Sequence, residues 1–269
     1  MASHLSLHEL TFQSRADSIP LTEATGLVPL ALEVPNRALQ FEPRGDAKVA
    51  KLKIFGEFCT LSGRIVKEFA RELSLEIPQS DYPNYIHAST LHQQLIPLPP
   101  GIYRLTIVIK DVASGRAGLT NLRVEVPPLQ PGLLCASSLI LADSLERQPK
   151  IQDYTKPNVV GATELRPNIN HSFARDQTLG LYLQIHNVAF DADSHRPSLN
   201  VTYEILRGKR VILSEPEDIQ LRNWAMAILA LRRSFPLKEV APGRYILRVK
   251  VNDRISKQTF TPSVTFEVN

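Results

Sequence analysis

The sequence predicts an all-β protein built as two tandem sandwiches, and three observations predict it. Apolar residues alternate with polar ones over short runs, turn formers punctuate those runs, and one such segment is written twice. Residues 99–111 read PPGIYRLTIVIKD and residues 241–253 read APGRYILRVKVND. At a constant offset of 142, residues 95–126 and 237–268 align without a gap and share nine of 32 positions, which marks an internal duplication.

Length and composition agree. A chain of 269 residues has room for two cores of ordinary size, because domains usually run to about 100–150 residues. An apolar fraction of 43% with 22% charged residues is that of a globular protein. Twenty prolines against two methionines and one tryptophan point to turn-rich β structure. The segment VPPLQPG at 126–132 holds three prolines, which remove amide donors and stiffen the chain. It divides the sequence into a first domain at 1–130 and a second at 131–269.

The elements follow in order. LVPLALEVPN at 27–36 resembles TLGLYLQIHN at 178–187, a strand in each half. KLKIFGEFCTLSGRIV and LNVTYEILRGKRVI then each read as two strands joined by a turn, at Gly63 and at Gly208. In the duplicated segment Tyr103, Leu105, Ile107 and Ile109 recur at every second position, as do Tyr245, Leu247, Val249 and Val251. Turn formers and a further alternating run complete a terminal hairpin. About seven short strands per half is the pattern of an immunoglobulin-like, fibronectin III-like sandwich.

The duplicated turn has a structural reading. Pro100 and Gly101 precede Tyr103, and Pro242 and Gly243 precede Tyr245. That is the layout of a tyrosine corner, whose ring packs on the core while its hydroxyl bonds to backbone just upstream. Two stretches depart from β patterning. Residues 217–232, EDIQLRNWAMAILALR, have helix-forming composition, and residues 142–176 read as a long polar loop.

Chemistry is sparse. The seven histidines show no HExxH spacing, and no nucleophile elbow, P-loop or dinucleotide fingerprint occurs. No catalytic, cofactor or metal residue is therefore assigned. FDADSHRP at 190–197 offers Asp191 and Asp193 as an alternative calcium pair, but without the glycine and distal glutamate of a calcium loop it reads as a polar turn. RGD at 44–46 reads as a turn with glycine at its tip. Cys59 and Cys135 fall in different halves, so no disulfide within a domain is expected. The net charge of +4 comes from the second half, where 18 basic residues face 14 acidic ones, against 13 and 13 up to Gln130. No aromatic residues interleave with that excess, so a nucleic-acid partner is not expected. No apolar run approaches the roughly 18–20 residues that cross a bilayer as a helix. The opening MASHLSLHELTF has no basic or apolar leader region.

The runs LPPGIYRLTIVIKDVASGRAGLTNLRVEVPPL, LCASSLILADSLE, NHSFARDQTLGLYLQIHNVAFD and VAPGRYILRVKVNDRISKQ together resemble the C-terminal β-rich region of bacterial von Willebrand factor A-related and GWxTD-type envelope proteins. The resemblance implies a noncatalytic region of a larger exported protein. It carries over no metal site, since the DxSxS motif of the A domain is absent. As such a fragment the chain would be periplasmic or extracellular; complete as written it would be cytoplasmic. The expected function is a protein-interaction or scaffold module, binding an unspecified protein partner through exposed strand edges. The alternatives are a carbohydrate-binding module, with Tyr154, Tyr182 and Trp224 as candidate aromatics, a calcium-stabilised adhesion tandem, or an accessory domain of an enzyme.

Overall fold

The computed structural model describes residues 9–147, 159–160, 163–219 and 228–269. The chain is all-β. In order the strands are β1 (Gln13–Ala16), β2 (Ile19–Pro20), β3 (Gly26–Pro35), β4 (Glu42–Arg44), β5 (Ala47–Thr60), β6 (Ile65–Pro78), β7 (Ser89–Leu98), β8 (Gly101–Asp111) and β9 (Ala117–Val126). They continue as β10 (Cys135–Ala136), β11 (Ile140–Arg147), β12 (Val159–Val160), β13 (Thr163–Pro167), β14 (Ser172–Phe173), β15 (Thr178–His186), β16 (Leu199–Arg207) and β17 (Arg210–Ile219). The last four are β18 (Ile228–Pro236), β19 (Gly243–Asp253), β20 (Thr259–Phe260) and β21 (Ser263–Val268). Among the described residues only a 3-10 turn at Asn36–Ala38 and a single helical turn, α1 (Tyr82–Tyr85), are not extended or irregular.

Two compact units result, Met1–Ala16 with Val28–Val126, and Asp17–Leu27 with Pro127–Asn269. The division after Val126 lies at the head of the proline segment, four residues before the boundary read from the sequence. Residues 17–27, assigned above to the first domain, group with the second unit. Ser18 explains this: its amide donates to Ser138 Oγ at 2.9 Å, and the Ser138 amide donates to its carbonyl at 2.8 Å.

In the first unit, β5 carries β6 on one side and β4 followed by β8 on the other, with β9 beyond β8. The facing sheet centres on β3, with β1 and β7 as its partners. Apolar residues from both sheets, among them Leu30 and Leu32 of β3, Leu52 and Phe58 of β5, Ile96 and Leu98 of β7 and Leu105 and Ile107 of β8, share one core. Period-two alternation puts these on inward faces and leaves Arg104 exposed between Tyr103 and Leu105.

The second unit repeats the plan. β16 lies between β17 and β19, with β20 and β21 along β19 and β14 parallel to β21. The facing sheet centres on β15, flanked by β18 and by β10 and β11, with β13 and β12 beyond. Its core runs from Leu179, Leu181, Leu183 and Ile185 of β15 to Val201 and Tyr203 of β16 and Leu247 and Val249 of β19.

Two expectations are corrected. The helix predicted over 217–232 is strand at both ends, since Asp218 and Ile219 close β17 and 228–232 open β18, while 220–227 lie outside the described residues. Leu229 and Leu231 are buried with Phe235 in the shared core, so the alternation that meets the sheet overrides helix propensity. Within the predicted loop at 142–176, β11 and β13 pair antiparallel from Ala142↔Pro167 to Arg147↔Thr163, and much of the rest lies outside the described residues.

Candidate interaction surface

The duplicated motif builds a staple. The Tyr103 hydroxyl donates to the Pro99 carbonyl at 2.8 Å, and the Tyr245 hydroxyl donates to the Ala241 carbonyl at 2.5 Å, four residues upstream in each case. Both rings are buried. Gly243 has φ of 146°, where an L side chain is rarely found, and a Cβ on Gly101 would stand 2.9 Å from the Tyr103 hydroxyl oxygen. Burial pushes the Tyr103 phenol above its ordinary range. Each tyrosine thus ties the head of its strand to the turn that holds Pro100 and Gly101 in one unit and Pro242 and Gly243 in the other.

At the far end of the same strands lies a second staple. Asp111 and Asp253 are fully buried. Asp111 accepts from the Gln40 amide at 2.9 Å and the Ser114 hydroxyl at 2.6 Å. Asp253 accepts from the amides of Ala189 and Ile255, each at 2.9 Å. Each carboxylate therefore closes its own hairpin and anchors the chain that follows the central strand of the facing sheet. The repeated aspartate was visible in the sequence, but its burial was not.

The alternative calcium loop is self-contained. Asp191 Oδ1 accepts from both the amide and the hydroxyl of Ser194 at 2.8 Å, and the Ser194 bonds hold its carboxyl below the ordinary range. Asp193 is exposed beside it, and among the described residues no cluster of three or more His, Cys, Asp or Glu is arranged to hold a metal. The RGD tripeptide occupies the β4–β5 turn, with Gly45 at φ of 59°. Cys59 and Cys135 are free thiols. No helix among the described residues is long and apolar enough to cross a membrane.

Of the three candidate aromatics, Tyr182 alone lies among the described residues. Tyr182 is fully buried, and its hydroxyl accepts from Gln184 Nε2 at 2.6 Å. Tyr154 and Trp224 lie outside the described residues. A different aromatic group is half-exposed: Phe41 meets Tyr82 and Tyr85 edge-on at 5.3 and 6.1 Å, with Lys48 Nζ 3.8 Å from the Tyr82 ring centre. Its members come from the segment before β4, from α1 and from β5, and no local pattern joins them.

The β5–β6 hairpin presents an open strand edge. Both strands have 14 residues, and among the described residues β6 pairs only with β5, so its other edge is free. Exposed apolar side chains gather here, Phe55 at 40%, Ile65 at 53% and Leu61 at the turn at 73%. On the outward face, register places Ala70, Phe55, Val108 and Leu119 in one row across β6, β5, β8 and β9. The matching face of the second unit is charged. There Glu204 accepts from Arg248 Nε and Lys250 Nζ, each at 2.7 Å. Burial raises the Glu204 pKa, but the two cations outweigh it and hold the carboxyl below its ordinary range.

No family model matches the chain, and no curated protein matches it. Among solved structures it is similar to Bacteroides uniformis beta-glucuronidase 2 covalently bound to cyclophellitol-6-carboxylate aziridine, at 14% identity and a TM-score of 0.29, over 91% of this chain and 26% of that one. It is similar also to Bacteroides uniformis beta-glucuronidase at 13% identity and a TM-score of 0.29, over 91% and 26% of the two chains. A calcium-binding mutant of beta-glucuronidase 2 from the same organism gives 12% identity and a TM-score of 0.28, over 93% and 27%. The chain thus spans about a quarter of the length of the enzymes it is similar to.

Proposed function

We propose that this chain is a noncatalytic interaction or scaffold module of immunoglobulin-like sandwiches, part of a larger exported bacterial envelope protein, and that it binds a protein partner by adding a strand to β6. The single observation that carries this reading is the 14-residue edge strand, hydrogen-bonded on one side only among the described residues and bordered by exposed apolar side chains. An exposed edge of that length is a template for main-chain pairing. The resemblance to von Willebrand factor A-related and GWxTD-type proteins supports the envelope setting.

A photo-crosslinking residue replacing Glu68 on β6 tests the proposal in the cells that produce the protein, with one replacing Glu215 on β17 as control. A discrete adduct from β6 alone is expected. Adducts of equal yield from both strands, or none, would sink the edge as the binding site.

A second reading, glycan binding, is favoured by the half-exposed group of Phe41, Tyr82 and Tyr85. A glycan array should then give hits that Tyr82→Ala abolishes.

A further inference from the structure

The duplication lets the two long hairpins be compared residue by residue. Leu52 pairs with Asp111 as Leu199 pairs with Asp253, so one offset relates β5 to β16 and sets Gly56 against Tyr203 and Cys59 against Leu206. Both return strands carry a bulge at the same place. In the first unit the register jumps between Phe58↔Lys67 and Cys59↔Ile65, leaving Val66 as the extra residue. In the second it jumps between Ile205↔Leu213 and Leu206↔Val211, leaving Ile212. Ile65 therefore corresponds to Val211 and Val66 to Ile212. Arg64, whose carbonyl accepts from the Thr60 amide at 2.9 Å, corresponds to Arg210, which pairs with Arg207.

The cores do not account for the aliphatic residues at these turns. Val66 packs partly against the first core, but Ile65 is 53% exposed and Leu61 in the turn 73%. In the second unit Val211 is 40% and Ile212 44% exposed. Each tip thus holds two aliphatic side chains in water, and in each a bulge sets their aim. Bulges are features that re-aim side chains, and apolar area left open beside polar residues marks an interaction site.

The charge around them has one sign. Residues 60–67 contain Arg64 and Lys67, and residues 207–212 contain Arg207, Lys209 and Arg210, with no acidic residue in either stretch. Arg207 is drawn to the tyrosine corner, its guanidinium 5.8 Å from the Tyr245 ring centre. The other four form no ion pair among the described residues. On the neighbouring strands charges cancel, since Arg123 pairs with Glu125 at 3.5 Å and Arg244 lies opposite Glu267. The nearest acids on the hairpins, Glu57 and Glu68 in the first and Glu204 and Glu215 in the second, lie beyond these stretches, and Arg248 and Lys250 neutralise Glu204.

We propose that each hairpin tip docks on an anionic lipid surface, its cations against headgroup phosphates and its two exposed aliphatic side chains at the boundary between headgroups and acyl chains. A charged bilayer surface satisfies both kinds of side chain at once. A nucleic acid would meet the cations and leave the aliphatic residues in water, and neither stretch holds an aromatic residue to stack on a base. A second copy of the same tip would bring like charges together. The contact is peripheral and concerns the turn end of each hairpin, so it stands or falls apart from strand addition to β6.

Co-sedimentation of the full chain with extruded vesicles tests this, using phosphatidylcholine alone or equal parts phosphatidylcholine and phosphatidylglycerol. The mixed vesicles should hold the chain at least about tenfold more tightly, and added salt should release it. Arg64→Glu with Arg210→Glu should abolish that difference. Ile65→Ser with Val211→Ser leaves the charge untouched and should weaken binding to the mixed vesicles by about fivefold or more. Ile65→Leu with Val211→Leu should bind as the unaltered chain does, and unchanged melting temperatures in all three double variants exclude a folding defect. Equal binding to both kinds of vesicle, or binding to neither, would overturn the inference. Serine variants that bind like the unaltered chain would overturn it too, because charge alone, such as an acidic protein would meet, would then suffice. A serine change in one unit that leaves binding unmoved would overturn the tip of that unit.

Discussion

Asp253 Oδ2 accepts the Ala189 amide at 2.9 Å across 64 residues of sequence, while its Oδ1 takes the Ile255 amide at the same distance. One buried carboxylate therefore joins the end of β19 to the loop after β15. Asp253→Ala would leave both amides without partners in a site closed to water. The expected cost is about 2–4 kcal/mol, at about 1–3 for each unsatisfied group less local relaxation. Urea denaturation followed by far-ultraviolet circular dichroism measures it, and a loss below about 0.5 kcal/mol would show that the staple is dispensable.

Tyr103→Phe and Tyr245→Phe keep each ring and delete one hydrogen bond to a carbonyl. Each should cost about 1 kcal/mol. The effects should add in the double variant, because the two corners share no partner. Marked non-additivity in the same denaturation assay would contradict independent corners.

His186 is 1% exposed, and neither ring nitrogen has a partner. Burial lowers its pKa from 6.5 to about 4. Between those values the unfolded chain holds more protons than the folded one, so stability falls as pH drops from about 6.5 towards 4. The loss is about 3 kcal/mol at the low end. His186→Leu should flatten this part of the profile. A wild-type profile already flat there would refute the assignment.

Burial also pushes the Tyr182 phenol up to about 12 and that of Tyr203 still higher, where the Glu217 carboxylate adds to burial. Of the seven tyrosines, these two should remain protonated at pH 11 in the folded protein. Ultraviolet titration should show their release only with unfolding, and Tyr203→Phe should remove one of the late steps.

Limited proteolysis at 127–132 should nick the chain without freeing a stable second unit, because residues 17–27 belong to it. A chain of residues 127–269 lacks the two Ser18–Ser138 hydrogen bonds. It should be less stable than the same unit in the intact protein by about 1–3 kcal/mol, as read by its urea midpoint.

Much of the fold was legible where one face of a strand is buried, as in β8 and β19, because period-two burial writes itself directly into residue choice. It was less legible in β15, which is buried on both faces from Leu179 to His186 and so shows weak alternation. β18 was read as helix because its start shares a run with strong helix formers whose tertiary partners lie far away in sequence. The β6 edge was unread for a related reason. That β6 ends its sheet depends on which strands pair, and no local pattern records that.

Gly56 and Tyr203 occupy the same position in sister sequences and meet opposite fates. In the second unit Tyr203, Glu217 and Arg233 link β16, β17 and β18 through polar contacts, while in the first Phe69 packs over Gly56. Two copies of one plan thus fill the same position by different means, a polar group in one unit and an aromatic ring in the other.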